Sequence, residues 1–399
     1  MSWTTIRADE YCESVRDGTH DTPKQTETGY KLVTGKHIKN GQIDPSDAYC
    51  ISEKDYKKIN ERSLVEQWDV LMSMIGTVGE VAVVKDHPNY AIKNVALFKC
   101  AGSELKGKWL AYYLQSSDAQ GHMLGNQKGS SQQFLSLKQL RSLPVPVADE
   151  TYMQKVVDVL STYDDLIENN QKQIKLLEEA AQRLYKEWFV ELRFPGHETT
   201  PITDGIPEGW VRYKFSEIAS IMSGGTPKTD VKEYYDGNIP FYTPKDSDGS
   251  FFAFDTITHI SKSGLDHCNS QYYPSGTVII TARGTVGKTT ILAVPMAMNQ
   301  SCYALKCDEL NSPYYLFFSL NKEVAALKTM ANGGVFNTII VKTFDSIHLT
   351  VPTHDVLIAF DAIVSPIMDQ IKVKMQQNVL LAETRDRLLP KLMNGEIEV

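Results

Sequence analysis

No C-x-x-C pair occurs in the 399 residues, and Cys12, Cys50, Cys100, Cys268, Cys302 and Cys307 are scattered singly. That spacing argues against a structural zinc and, in a cytosolic chain, against disulfides, so the cysteines read as small buried hydrophobes. No window approaches the ~18 apolar residues of a membrane span. The segment Met1-Ser2-Trp3-Thr4-Thr5-Ile6-Arg7 lacks a basic run followed by an apolar stretch, so the expected location is the cytoplasm, with no membrane partner. Catalytic signatures are missing too: there is no F-x-G-x-G with N-P-P-[YF], no G-x-S-x-G elbow and no H-E-x-x-H helix. His259, His267 and Cys268 match no common metal spacing, and structural roles are expected for them. The chain is therefore expected to hold no metal or cofactor and to carry no catalytic residue.

An excess of basic residues is also absent, since the formal net charge is −8. The acid is unevenly placed: residues 149–198 carry 6 basic against 11 acidic residues, whereas 1–148 carry 18 against 17 and 199–352 carry 12 against 14. Near-neutral segments of that kind neither forbid nor demand nucleic-acid binding, so any such binding depends on local clusters.

What the chain does have is itself, twice. Trp3, Gly18-Thr19, Gly29, Gly41, Gly76-Thr77-Val78-Gly79 and Leu176-Leu177 recur as Trp210, Gly225-Thr226, Gly237, Gly249, Gly284-Thr285-Val286-Gly287 and Leu380-Leu381. The period is far longer than a solenoid unit, so each copy is a module with its own core, and the expected molecule has a pseudo-two-fold internal repeat. Within each copy the first part (1–148 and 210–352) keeps its glycines while other side chains change. The second part (149–193 and 353–399) keeps its pattern.

From about Thr151 to about Trp188 there is no Pro or Gly, which predicts one long helix. Apolar residues at Val156, Leu160, Tyr163 and Ile167, then Ile174, Leu177, Ala181, Leu184 and Trp188, alternate at spacings of four and three, with Asn170 at the one polar seam position. The second copy offers Val364, Ile371, Leu381 and Leu388, with Lys374, Asn378 and Arg385 at seam positions. A helix of about 40 residues reaches ~60 Å, too long for one small domain, so the two helices are expected to pair. Pro366 is expected either to kink the second helix or to start its long segment. Residues 194–209 are rich in Pro and Gly and read as a linker. Strand-like runs such as Val70–Ile75, Glu80–Val84 and Val278–Thr281, with short helices near Lys108–Gln115 and Ser312–Leu320, give mixed α/β domains of α+β character.

Ala282-Arg283-Gly284-Thr285-Val286-Gly287-Lys288-Thr289 imitates a phosphate-binding loop. Such a loop opens into a helix, whereas Thr290-Ile291-Leu292-Ala293-Val294 reads as a strand, and the other copy has Glu80 in place of the lysine. A hairpin-like turn is expected instead. Polar, Gly-flanked loops are the remaining signal. Gln127-Lys128-Gly129-Ser130-Ser131 corresponds to Asn332-Gly333-Gly334-Val335-Phe336-Asn337, with side chains suited to base edges and glycines that admit phosphate. A second set joins Thr19, His20, Lys36 and Lys39 with Thr226, Lys228 and Lys245. Arg283 and Lys288 complete it; an arginine on such a turn reads guanine or holds a phosphate. A solvated surface loop is the competing reading for any one of these.

In combination these features resemble the specificity subunit of type I restriction-modification systems. The resemblance rests on Gly225-Thr226-Pro227-Lys228-Thr229 followed by Gly237-Asn238-Ile239-Pro240-Phe241, and on Ile206-Pro207-Glu208-Gly209-Trp210. Asp69-Val70-Leu71 leading to Gly76, and Arg387-Leu388-Leu389-Pro390-Lys391-Leu392-Met393-Asn394-Gly395-Glu396-Ile397, add to it. It implies two similar target-recognition domains (1–148 and 210–352) separated by two long antiparallel coiled-coil helices, each domain reading half of a split, asymmetric site on double-stranded DNA. It further implies two methyltransferase subunits and restriction/translocase subunits as partners in bacterial host defence, with S-adenosylmethionine, ATP and Mg held by those partners. Leu184-Tyr185-Lys186-Glu187-Trp188-Phe189 departs from Leu388-Leu389-Pro390-Lys391-Leu392-Met393, so the two docking surfaces need not match. The alternative is a non-enzymatic scaffold or regulatory protein that binds other proteins through its helices.

Overall fold

Short β-branched runs bounded by turn residues become strands, and they do so twice in the same order. The computed structural model describes residues 3–76, 78–124, 135–307, 310, 312–330 and 338–399. It divides into two compact units, one of residues 1–167 with 379–399 and one of 168–378. In the first unit, β1 (Ser14–Asp17), β2 (Val70–Ser73), β3 (Val81–Val83) and β4 (Val95–Lys99) form an antiparallel sheet in the order β1-β4-β2-β3. A smaller sheet has Tyr30–Val33 at its centre, antiparallel to Cys50–Ile51 and parallel to Tyr90–Ile92. The helix α1 (Glu104–Gln115), capped by the Ser103 hydroxyl, packs on β2 and β3. Its Trp109 is fully buried, and the indole N–H donates to the Pro146 carbonyl at 2.7 Å. Truncating such a ring to alanine costs about 3–5 kcal/mol.

The long helix α2 (Glu150–Phe189) begins where the Asp149 carboxylate accepts the Tyr152 N–H at 3.0 Å. It ends before Leu192, at φ +58°, and Pro195, neither of which continues a helix. The second unit repeats the sheet with one strand more. β5 (Ser220–Ser223), β6 (Phe252–Ala253), β7 (Val278–Thr281), β8 (Thr289–Leu292) and β9 (Cys302–Lys306) lie in the order β5-β9-β7-β8-β6. Ile239–Tyr242 is antiparallel to His259–Ile260 and parallel to Ala297–Met298, as in the smaller sheet of the first unit. α3 (Pro313–Met330) packs on β7 and β8, and is longer than the sequence pattern suggested.

α4 (His354–Met393) closes on Gly395 in the left-handed region, with the Ile397 N–H donating to the Lys391 carbonyl at 3.1 Å. It is continuous through Pro366, so that proline does not start the long segment. A proline inside a helix costs about 3 kcal/mol, chiefly through its lost hydrogen bond. Val364 and Met368, one on each side of it, are fully buried in the second core and hold the helix there.

Within each unit the helices run side by side, and the partner's number on α4 falls as the number on α2 rises. In the first unit the Tyr152 hydroxyl lies 2.9 Å from the carbonyl oxygens of both Leu392 and Ile397, and Arg385 Nη1 lies 2.6 Å from Asp164 Oδ1. In the second, Asn170 Nδ2 donates to Asn378 Oδ1 at 3.0 Å, and Trp188 and Phe360 have ring centroids 6.0 Å apart. Both pairings are antiparallel. Leu160 sits in the first core beside Leu389, Leu392 and Met393, and Leu388 packs against it. Val364 and Ile371 sit in the second core, with Ile174, Leu177 and Leu184 packed against it. Ile167 and Leu381 are half-buried and belong to neither cluster.

All six cysteines are thiols outside any disulfide, but only Cys12, Cys100 and Cys302 are buried; Cys50, Cys268 and Cys307 are half-buried, near strand and helix ends. Among the described residues no helix is long and apolar enough to cross a membrane, and no group of three or more His, Cys, Asp or Glu side chains could hold a metal ion. His259 pairs with Asp255 at 2.7 Å, His267 stacks on Tyr234 at 5.1 Å, and Cys268 lies 3.5 Å from the Leu265 carbonyl.

Candidate nucleic-acid interface

The sequence that imitates a phosphate-binding loop is the turn between β7 and β8, and it leads into a strand. Two glycines in the left-handed region shape it, Gly284 at φ +77° and Gly287 at φ +73°. Thr281, fully buried, takes the Lys288 N–H on its hydroxyl at 3.0 Å, while its carbonyl takes the Gly287 N–H at 2.8 Å. The first unit builds the same turn between β2 and β3. Gly76 and Gly79 stand at φ +82° and +94°. The Ser73 hydroxyl takes the Glu80 N–H at 2.9 Å, and its carbonyl takes the Gly79 N–H at 3.1 Å. The hydroxyl at 73 and 281 was not singled out from sequence. Its signal is the same offset of 208 that relates Gly79 to Gly287.

Side chains on the two turns differ sharply. Ile75 and Arg283 are both exposed, one apolar and one cationic. Glu80 Oε2 accepts the Asn40 N–H at 3.3 Å, whereas Lys288 Nζ donates to the Ser247 carbonyl at 3.2 Å. The neighbouring loop is thus tied down in both units by contacts of opposite polarity. Behind each turn stands one more residue: Gln120 faces Gly79, and Lys328 of α3 faces Gly287. Lys328 Nζ donates to the Gly287 carbonyl at 3.3 Å. Burial, and then the charge of Lys288, hold its pKa below the usual lysine value.

Lys245 is exposed on the turn Pro244–Asp246, whose Pro244 carbonyl accepts the Thr285 hydroxyl at 3.2 Å. Lys288 also lines a cleft of about 580 Å³ in the second unit, together with Lys186 and Lys322 and the rings of Phe251, Phe317 and Phe318. Arg283, Lys288, Lys245 and Lys328 make no ion pair with an acidic side chain among the described residues. Ammonium and guanidinium groups placed this way bind anions.

The other sequence-selected residues fare unevenly. His20 has both ring nitrogens engaged, Nε2 at 3.0 Å from Asp17 and Nδ1 at 2.7 Å from Asn94, so no ring nitrogen is left for a base edge. Thr19 Oγ1 accepts the Asp21 N–H at 3.1 Å, and the Thr226 hydroxyl bonds to Gln300. Lys36 lies 3.3 Å from Asp47. Its neighbour His37 is buried, its Nδ1 accepting the Thr34 N–H, and burial holds its pKa below the usual histidine value. Lys39 and Lys228 are exposed. Gln127, Lys128, Ser130, Ser131, Asn332, Gly334 and Asn337 lie outside the described residues.

Comparison with known proteins gives a consistent result. The family described as the type I restriction modification DNA specificity domain matches residues 2–179 and 207–376. The chain is 23% identical over 337 residues to the type I restriction enzyme HindI specificity subunit of Haemophilus influenzae, covering 69% of this chain and 73% of that one. It is 25% identical over 361 residues to the MjaIX specificity subunit of Methanocaldococcus jannaschii, covering 88% and 82%. The crystal structure of a type I restriction-modification S subunit from M. genitalium shares its fold, with a TM-score of 0.56 at 15% identity over 98% of this chain and 96% of that one.

Proposed function

The chain belongs to the type I restriction modification DNA specificity family, and on that premise we propose that it selects the DNA site for a multisubunit methyltransferase and endonuclease. It supplies recognition, and bond making belongs to partner subunits. The observation that carries the reading is the duplicated topology. One sheet order and one glycine turn occur in both halves, with different side chains on the turn, as two readers of two different half-sites require.

In this reading residues 1–148 and 210–352 each face one half of an asymmetric, bipartite site on double-stranded DNA. Residues 149–193 and 353–399 form the helical frame, with 194–209 as linker. The spacing between half-sites follows helix length. Two methyltransferase subunits carry S-adenosylmethionine, and restriction/translocase subunits carry ATP and Mg. The complex works in the cytoplasm, where its DNA is. An acidic frame leaves part of the non-specific phosphate attraction to those partners, so the isolated chain binds DNA weakly at physiological salt. The test is the methylome of cells with and without the gene. A split adenine-methylation motif that disappears with the gene is expected, and identical methylomes would remove the proposal.

A further inference from the structure

The turn between β7 and β8 and the turn between β2 and β3 share their glycine conformations and differ in charge at three matched places. Where the first unit has Ile75, Glu80 and Gln120, the second has Arg283, Lys288 and Lys328, each pair separated by 208 residues. One anionic side chain among the three places in the first unit thus corresponds to three cationic ones in the second. Burial, and then the nearby charge of Lys288, make Lys328 easier to deprotonate. Neither ammonium has a carboxylate partner among the described residues; each donates to a main-chain carbonyl, of Ser247 or of Gly287.

The acids nearest in sequence to Ser247 are already committed to the backbone. Asp246 accepts the N–H groups of Thr243 and Ile257, both at 2.8 Å, and Asp248 accepts that of Ser250 at 2.8 Å. Fold maintenance alone does not explain the cations, since Glu80 and Gln120 support the same turn without positive charge. Exposed cations without a carboxylate partner, gathered at one turn, form an anion site.

We infer that the second unit grips the DNA backbone through Arg283, Lys288 and Lys328, and that the first unit makes no counterpart phosphate contact at Ile75, Glu80 and Gln120. The inference rests on the reading of the chain as a DNA-specificity subunit and adds an asymmetry to it. One half of the site is held at this turn by salt-sensitive charge. The other half is met there by an apolar side chain and a carboxylate.

The experiment measures affinity of the full chain for a duplex of roughly 30 base pairs, by fluorescence anisotropy across a salt series, for wild type and R283Q/K288Q/K328Q. Each lost phosphate contact flattens the salt slope by about 0.9, so the triple variant loses up to about 2.7. Between about 50 and about 200 mM salt the wild type then loses up to ~40-fold more affinity than the variant. The reciprocal variant I75R/E80K/Q120K steepens the slope by a similar amount. R283Q alone, at a side chain with no partner in the described fold, controls for folding and removes about one contact. Equal slopes for wild type, triple and reciprocal variants overturn the inference while leaving DNA binding intact. A wild-type chain that binds no duplex at any salt removes the DNA reading, and the inference with it.

Discussion

Residues 73–80 and 281–288 are one turn made twice, and comparing them separates what shapes a loop from what it touches. Its shape depends on a buried hydroxyl at 73 or 281 and two glycines in the left-handed region, and these are kept in both copies. What the turn touches depends on residues 75, 80 and 120 or 283, 288 and 328, and none of these is kept. A frame defined by main-chain hydrogen bonds lets charge change by several units without moving the backbone. A duplicated chain can thereby acquire two specificities on one fold.

The largest effect that sharpens this comparison lies at the second glycine. Alanine at either position pays left-handed strain of about 1–2 kcal/mol. At Gly287 the new Cβ also stands 2.6 Å from Val324 Cγ1, a packed side chain, whereas at Gly79 its nearest neighbour is the movable Gln120 amide at 3.0 Å. Gly287→Ala should therefore destabilise its unit by about 1–3 kcal/mol more than Gly79→Ala does, because overpacking adds to strain. Urea unfolding followed by hydrogen exchange at each turn measures the difference, and equal costs would break the comparison.

Next come the hydroxyls. Thr281→Val and Ser73→Ala each leave a turn N–H without its acceptor and should cost a similar ~1–3 kcal/mol, read by the same exchange measurement. On the helices, Asn170→Leu strips Asn378 of its partner and should cost about 1 kcal/mol in the second unit, read as a shift in the urea midpoint; an unchanged midpoint would show that the seam amides are not coupled. The smallest effect on stability belongs to Arg283→Gln, within about 0.5 kcal/mol, since the side chain is exposed and unpaired in the described fold. Its thermal midpoint should match wild type while its affinity for DNA becomes less sensitive to salt.

Much of the fold was legible because it rests on local signals. Nearly 40 residues without Pro or Gly, with apolar residues at helical spacing, predict a long helix, and Glu150–Phe189 matches the expected Thr151–Trp188 closely. Of the polar seam positions, Asn170 meets Asn378 and Arg385 meets Asp164 across the antiparallel helices, pairings that the heptad pattern of each helix alone did not specify. Of the two roles expected for Pro366, a kink or a helix start, the start is ruled out by a helix that continues from His354, held there by burial of Val364 and Met368. At the candidate interface the sequence pointed to Arg283 and Lys288 but passed over Lys328. That residue reaches the turn only because α3 packs on β7 and β8, and only the repeat offset links it to Gln120. His20 looked available for DNA although Asp17 stands only three residues before it, and its second partner, Asn94, is brought to it by the pairing of Thr19 with Lys93.

The most direct test of the two-reader account exchanges residues 1–148 for the matching domain of another family member and sequences the methylome of cells carrying the hybrid. One half of the methylated motif should change while the other half and the gap between them stay as they were. A motif altered in both halves, or in neither, would contradict the claim that each copy reads its own part of the site.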